Sequence, residues 1–212
     1  MENKQLKSKW LTMTFGIALL FGFLPFTLMA GAIPRPITAV QIGTDRVLEM
    51  LRRNCGEGQS MVLKHHRAEI ERMAQDYCDF GEMAMRSLGH NWKLQPPSKR
   101  QEFSKLFEEL IFNTYMNRVD TYTCADEKIL YDEESVDGKF AVVKTRVTGH
   151  KGKDVAIEYR LHLKNDEWKA YDVVIEGVSL VNNYRQQFSS ILNRESFDAL
   201  LQRMRSKVAE FK

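Results

Sequence analysis

The sequence predicts an α+β fold with one mature domain: a mainly helical part over residues 33–120, a four-stranded antiparallel sheet over 121–181 and closing helices over 182–212. Three observations carry this. Apolar residues recur at spacings of three and four from Phe103 to Tyr115, the period of one helix face. From Tyr122 the period becomes two, and the runs are separated by turn residues. After Asn182 the helical spacing returns, giving about seven helices in all.

At the N-terminus Lys4, Lys7 and Lys9 precede an apolar stretch from Trp10 to Met29, the order of a secretory signal. Ala30-Gly31-Ala32 offers small residues for cleavage after Ala32, with Leu28-Met29-Ala30 as the second candidate. An uncleaved anchor is the competing reading, since the stretch nears the ~20 residues of a membrane span. Pro25 and the small residues behind it favour cleavage, so residues 1–32 are read as a signal peptide and 33–212 as an exported, periplasmic chain. Removing the signal takes away three lysines and one glutamate and leaves 28 basic against 27 acidic residues. A nearly neutral mature chain gives no support for a nucleic-acid partner.

The helices follow in order. Val40, Val47, Leu48 and Leu51 make residues 37–53 amphipathic, ending near Asn54 and Gly56, and 60–78 read as a second helix. Asp79 with Glu82 forms a capping box for a short helix that Gly89 ends. Pro96 and Pro97 break the chain, and Ser98 with Gln101 forms the capping box that starts the long helix, whose segment 100–117 is roughly 27 Å long. Residues 127–132, 139–148, 154–164 and 168–176 read as strands of a meander, joined at Asp137-Gly138, Gly149 to Lys153 and Asn165-Asp166. In the third, Val155, Ile157, Tyr159, Leu161 and Leu163 face one way and Glu158, Arg160, His162 and Lys164 the other. Tyr184–Leu192 and Ser196–Phe211 are helical, with Ser196 as N-cap.

Three cysteines, Cys55, Cys78 and Cys124, leave one unpaired whatever the pairing. If Cys55 and Cys78 end successive antiparallel helices they lie roughly 25 Å apart, too far to bridge, so free and buried thiols are expected. His65 and His66 point about 100° apart on a helix, so no metal site is assigned.

The run Tyr171-Asp172-Val173-Val174-Ile175-Glu176-Gly177-Val178-Ser179-Leu180-Val181-Asn182-Asn183-Tyr184-Arg185-Gln186-Gln187-Phe188 resembles the signature of the Tgt2/MlaC family of periplasmic phospholipid carriers, also called toluene-tolerance proteins. Asp79-Phe80 with Met83, Leu88-Gly89 and Trp92 resemble a second block, and Phe103 to Tyr115 a third. The similarity runs over roughly residues 38–210. It implies a curved sheet similar to the nuclear-transport-factor-2 cone, packed with a helical subdomain around an apolar lipid cavity. It implies no cofactor beyond phospholipid as cargo. Its partners would be an inner-membrane ABC transporter complex with an MCE-type subunit and an outer-membrane lipoprotein complex. Cys78 departs from the family's commoner aromatic or apolar residue, and related branches carry other lipids such as hopanoids.

On this resemblance Phe103, Phe107, Leu110, Ile111 and Tyr115 from the long helix are expected to line the cavity. Val155, Ile157, Tyr159, Val173, Ile175, Val178 and Leu180 are expected from the sheet and its end, with Tyr184 and Arg185 as candidate head-group contacts. A packed core is the competing role for each apolar residue, and a fold cap for the last two. Cone folds also host acid and base chemistry, for which Asp172, Glu176 and Glu158 would be the carboxylates, near Tyr171 or His162. No nucleophile, base and orienter arrangement accompanies them, so the chain is read as a monomeric carrier and not an enzyme; a protein-binding adaptor is the third class.

Overall fold

A computed structural model describes residues 33–53, 59–119, 127–150 and 153–211, with side chains placed over 33–53, 66–115, 127–149 and 153–211. Residues 1–32, expected to be a signal peptide, and Cys55 and Cys124 therefore lie outside the described residues. Six α-helices are described rather than about seven: α1 (Pro36–Arg53), α2 (Gln59–Tyr77), α3 (Phe80–Leu88), α4 (Pro97–Val119), α5 (Leu180–Leu192) and α6 (Phe197–Ala209), with a 3-10 turn at Gly89–Trp92. The strands are β1 (Lys128–Asp137), β2 (Phe140–His150), β3 (Lys153–Lys164), β4 (Glu167–Ile175) and β5 (Val178–Ser179). They form one antiparallel meander in the order β1-β2-β3-β4-β5.

Two of the three expected N-caps are in place, and Ser98 lies inside its helix instead. Asp79 accepts from the Glu82 N–H to start α3, and Ser196 accepts from the Ala199 N–H to start α6. The long helix begins at Pro97, one residue before the expected Ser98 start, because proline at the first helical position lacks only an N–H that would be unpaired there.

The fifth strand corrects the expected four. Glu176 and Gly177 both take positive φ, 49° and 78°, a two-residue turn that brings Val178 opposite Ile175. Ser179 then accepts from the Asn182 N–H and starts α5, so β5 is only two residues long and merges with a helix cap. The first strand is also longer than the 127–132 expected. Its register shifts between Tyr131 and Glu133, leaving Asp132 as a bulge, and the acidic run there hides the continuation to Asp137.

Three clusters hold the chain together. The largest joins α3, α4, α5 and α6, with Phe103 and Phe107 fully buried at its centre. Phe103 stacks on Phe107 at 5.9 Å and meets Phe188 edge-on at 5.4 Å, while Tyr184 meets Phe107 at 5.5 Å. A second cluster joins α1, α2 and α4 through Met50, Leu51, Ile70 and Phe112. The third seats Val40 of α1 on Ala141, Val143, Leu161 and Trp168 of the sheet. Glu134 pins the start of that helix, accepting from the Ile37 N–H at 2.8 Å and from the Arg35 guanidinium at 2.5 Å.

Candidate functional site: a half-covered apolar sheet face

Directly paired residues of an antiparallel ladder point to the same face. Ladder register therefore defines rows that cross the sheet. One row runs Val178–Ile175–Ile157–Thr145–Tyr131, and the next runs Val155–Val147–Ile129. A third, Val173–Tyr159–Val143–Glu134, lies towards α1. All of these share the face on which α1 sits.

Among the described residues, α1 covers only part of that face. Val143, Ala141, Leu161 and Trp168 are buried beneath α1, whereas Ile129, Val147, Val155, Ile157, Val173 and Ile175 are only partly buried. Val178 is 56% exposed. The boundary between the halves carries hydroxyls. Tyr131 Oη lies 2.6 Å from Thr44 Oγ1 on α1, and Thr145, itself 2% exposed, donates to the Ile157 carbonyl at 3.2 Å. Burial raises the Tyr159 phenol, so it stays neutral.

A bulge keeps the rows in phase. The β3–β4 register passes from Arg160 opposite Asp172 to Leu161 opposite Ala170, which leaves Tyr171 as the extra residue. Trp168 and Ala170 before it, and Val173 and Ile175 after it, all reach the apolar face. The opposite face carries ion pairs over β1 to β3, where Lys144 bonds Glu133 at 2.7 Å, Arg146 bonds Asp132 at 2.8 Å and Arg160 bonds Glu158 at 2.8 Å, while Asp172 and Val174 of β4 are buried on it.

The structure thus brings Val155, Ile157, Tyr159, Val173, Ile175 and Val178 together on one face. Phe103, Phe107, Leu110 and Ile111 are buried inside the helical cluster, and Leu180 is buried at the start of α5; Tyr115 packs partly buried against that cluster. Tyr184 is buried in the cluster too, with its hydroxyl 3.5 Å from Thr114 Oγ1. Arg185 donates from Nε to the Arg86 carbonyl at 2.8 Å, at the C-terminal end of α3. Ile129 and Val147 were not singled out by sequence. The alternation of 139–148 reveals Val147, while the bulge at Asp132 obscures Ile129.

Two of the three carboxylates considered for catalysis, Asp172 and Glu176, hold the backbone, and Glu158 pairs with Arg160. Asp172 accepts from Ser179 Oγ at 2.6 Å, the Val181 N–H at 3.0 Å and Arg160 Nη1 at 3.3 Å, fixing the turn into α5. Glu176 accepts from the Ala156 N–H at 2.5 Å. Asp172, Glu158 and His162 occupy ladder positions on the face opposite the apolar one, where Asp172 is buried.

A polar depression of about 340 Å³ lies at the α2–α3 junction, where Asp79, Lys164, Lys169, Gln75 and Glu108 are among its lining residues. Asp79 receives His162 Nε2 at 3.1 Å and Lys164 Nζ at 2.6 Å. Burial pushes its carboxyl up, but hydrogen bonds from Lys164 and the Glu82 N–H, with the charges of Lys164 and His162, outweigh this and hold it below the ordinary carboxylate value. Burial pushes the neighbouring free Cys78 thiol up to about 12. This site is too polar for hydrocarbon. No helix among the described residues is long and apolar enough to cross a membrane.

The sequence and the fold have counterparts in known proteins. The chain is 27% identical over 213 residues to the Intermembrane phospholipid transport system binding protein MlaC of Haemophilus influenzae, covering 97% of this chain and 95% of that protein. It is 29% identical over 103 residues to the Toluene tolerance protein ttg2D of Pseudomonas putida, covering 48% and 47% respectively. Its fold matches the structure of a phospholipid-binding protein from Ralstonia solanacearum in complex with a phospholipid, with a TM-score of 0.74 at 22% identity, over 84% of this chain and 99% of that one. The profile of the family described as MlaC protein matches residues 42–206, so the chain belongs to the MlaC family.

Proposed function

We propose that this protein is a periplasmic phospholipid carrier that moves lipid between an inner-membrane ABC transporter complex with an MCE-type subunit and an outer-membrane lipoprotein complex. The observation that carries the reading is the partly exposed apolar row on the inner face of the sheet, ending in the 56%-exposed Val178. A folded chain gains by burying such a surface, and hydrocarbon is the partner that asks for no hydrogen bonds. The names of the Haemophilus relative and the Ralstonia structure point to the same ligand class.

Energetics favour a carrier. At ~0.8 kcal/mol per methylene, exposing roughly 30 methylenes of a diacyl lipid to water costs on the order of 24 kcal/mol. Covering them in transit removes most of that cost and calls for no catalytic group. The chain is accordingly read as a binding protein and not an enzyme, with Asp172 and Glu176 occupied in holding the backbone.

The test is solvent extraction of the purified protein with mass spectrometry of the extract, followed by transfer from labelled to unlabelled vesicles. Diacyl phospholipid in the extract and accelerated transfer are expected. A hopanoid would change the cargo, and a folded protein that yields no lipid and transfers none would overturn the proposal.

A further inference from the structure

The dimensions of the open face fix a direction for the cargo. Neighbouring strands stand about 4.8 Å apart, so the four spacings from β5 to β1 span roughly 19 Å. Along the strands the open surface is short. On β3 it includes Val155 and Ile157, and by Tyr159 and Leu161 the sheet has passed beneath α1; two to four residues at ~3.3 Å each give about 7–13 Å. The hydrocarbon of one bilayer leaflet, the reach of a single acyl chain, is about 15 Å, half of the usual core. A chain of that length fits across the strands and overruns the floor along them.

The two ends of the floor differ. At β5, Val178 is the most exposed floor residue, next to the turn at Glu176 and Gly177. At β1, Ile129 is partly buried and the adjacent Tyr131 is tied to Thr44 of α1. On one side of the path α1 forms a fixed wall, since Glu134 holds its first turn and the Trp168 indole N–H donates to the Pro34 carbonyl at 3.0 Å.

Resting on the carrier reading, we propose that an acyl chain lies across the strands, entering at Val178, passing over Ile175, Ile157 and Val147, and ending against Ile129, which limits its length. Ile129 is a specificity-determining residue: its side chain occupies the last stretch of the path. A bulkier group there shortens the path, and a smaller one lengthens it. At Val178 a bulkier group obstructs entry without altering the length beyond it.

The experiment offers delipidated protein to vesicles containing equal parts of short-chain and long-chain diacyl phosphatidylglycerol, then measures by mass spectrometry how much lipid is bound and of which length. Ile129→Phe is expected to shift the bound population towards short chains, and Ile129→Ala towards long chains. Val178→Phe is expected to lower occupancy and leave the length ratio unchanged. Circular dichroism melting accompanies each variant, and Ile129→Ala alone decides the length ratio if Ile129→Phe does not fold. Lipid-loaded Ile129 variants with the wild-type length ratio, or a length shift produced by Val178→Phe, overturn the path while leaving carriage intact. A folded wild type that takes up neither lipid overturns the carrier reading and the path with it.

Discussion

Asp79 is where the α2–α3 junction is fastened to the sheet. Its N–H donates to the Ala170 carbonyl at 2.8 Å, one carboxylate oxygen caps α3, and the other receives His162 and Lys164. Asp79→Ala removes the three carboxylate bonds and keeps the backbone one. Loss of the cap costs about 1 kcal/mol. The Lys164 side chain is 54% exposed and regains water, so its pairing is worth at most about 1 kcal/mol. His162, only 16% exposed, loses a hydrogen bond to a charged partner worth about 1 kcal/mol or slightly more. The sum is about 3 kcal/mol. For a domain of this size each kcal/mol moves the melting temperature by about 2–4 °C, which predicts a fall of about 6–12 °C at pH 7.

The dependence on pH follows from the depressed carboxyl. A folded value below the unfolded one means that the stabilisation is present above the unfolded value, near pH 4, and is lost as pH falls through the folded value. The gap in melting temperature between wild type and Asp79→Ala should therefore still be present at about pH 5 and close in stronger acid. Circular dichroism melts of both proteins across that range measure it. A fall of less than about 2 °C at neutral pH, or a gap that does not close in acid, would refute the assignment of Asp79 as an ionic fastening.

Val178→Glu places a carboxylate on a residue already 56% exposed, so the melting temperature is expected to stay within about 4 °C of wild type while co-purified lipid is lost; unchanged lipid would remove Val178 from the path. Phe107→Ala empties a fully buried site among Phe103, Tyr184 and Phe188 and should cost about 3–5 kcal/mol, read as a displaced urea midpoint. In a chain with Cys55 and Cys124 replaced by Ser, the half-buried Cys78 thiol, pushed up to about 12, should label slowly with maleimide at pH 7.5 and react faster once unfolded in urea, and equal rates for native and unfolded protein would contradict the raised thiol.

Much of this fold is legible locally. Helix caps at Asp79 and Ser196 depend on neighbours three residues away, and the two faces of β3 follow from strict alternation over Val155 to Lys164. What was hidden depends on distant contacts or on breaks in period. The bulge at Tyr171 shifts the inward residues of β4 by one, so Trp168 and Ala170 join Val173 and Ile175 on one face despite their opposite parity. The stripe from Phe103 to Ile111 announces a buried helix face but not its cover. Phe188 and Phe197 supply that cover from about 80–90 residues further along the chain. Nor does alternation show which half of the sheet is covered, because α1 is seated by Pro34 and Trp168, residues 134 apart.

That seating separates stability from function. On the proposed carrier function, a face that receives hydrocarbon cannot be fully packed, yet leaving it open forfeits about 25 cal/mol for every Å² of apolar surface not buried. The fold limits this loss by covering Ala141, Val143, Leu161 and Trp168 with α1 and leaving the Val178–Ile157 side open. Stability is supplied elsewhere, by the aromatic cluster of α3 to α6, whose central Phe103 and Phe107 have no exposed surface. Substitutions in that cluster should therefore lower the melting temperature without changing which lipid the folded fraction holds, and substitutions along the open rows should do the reverse. Asp79 and α1 join the two regimes, since one fastens helices to sheet and the other is both core and cavity wall. Only changes at such junctions should move stability and lipid choice together.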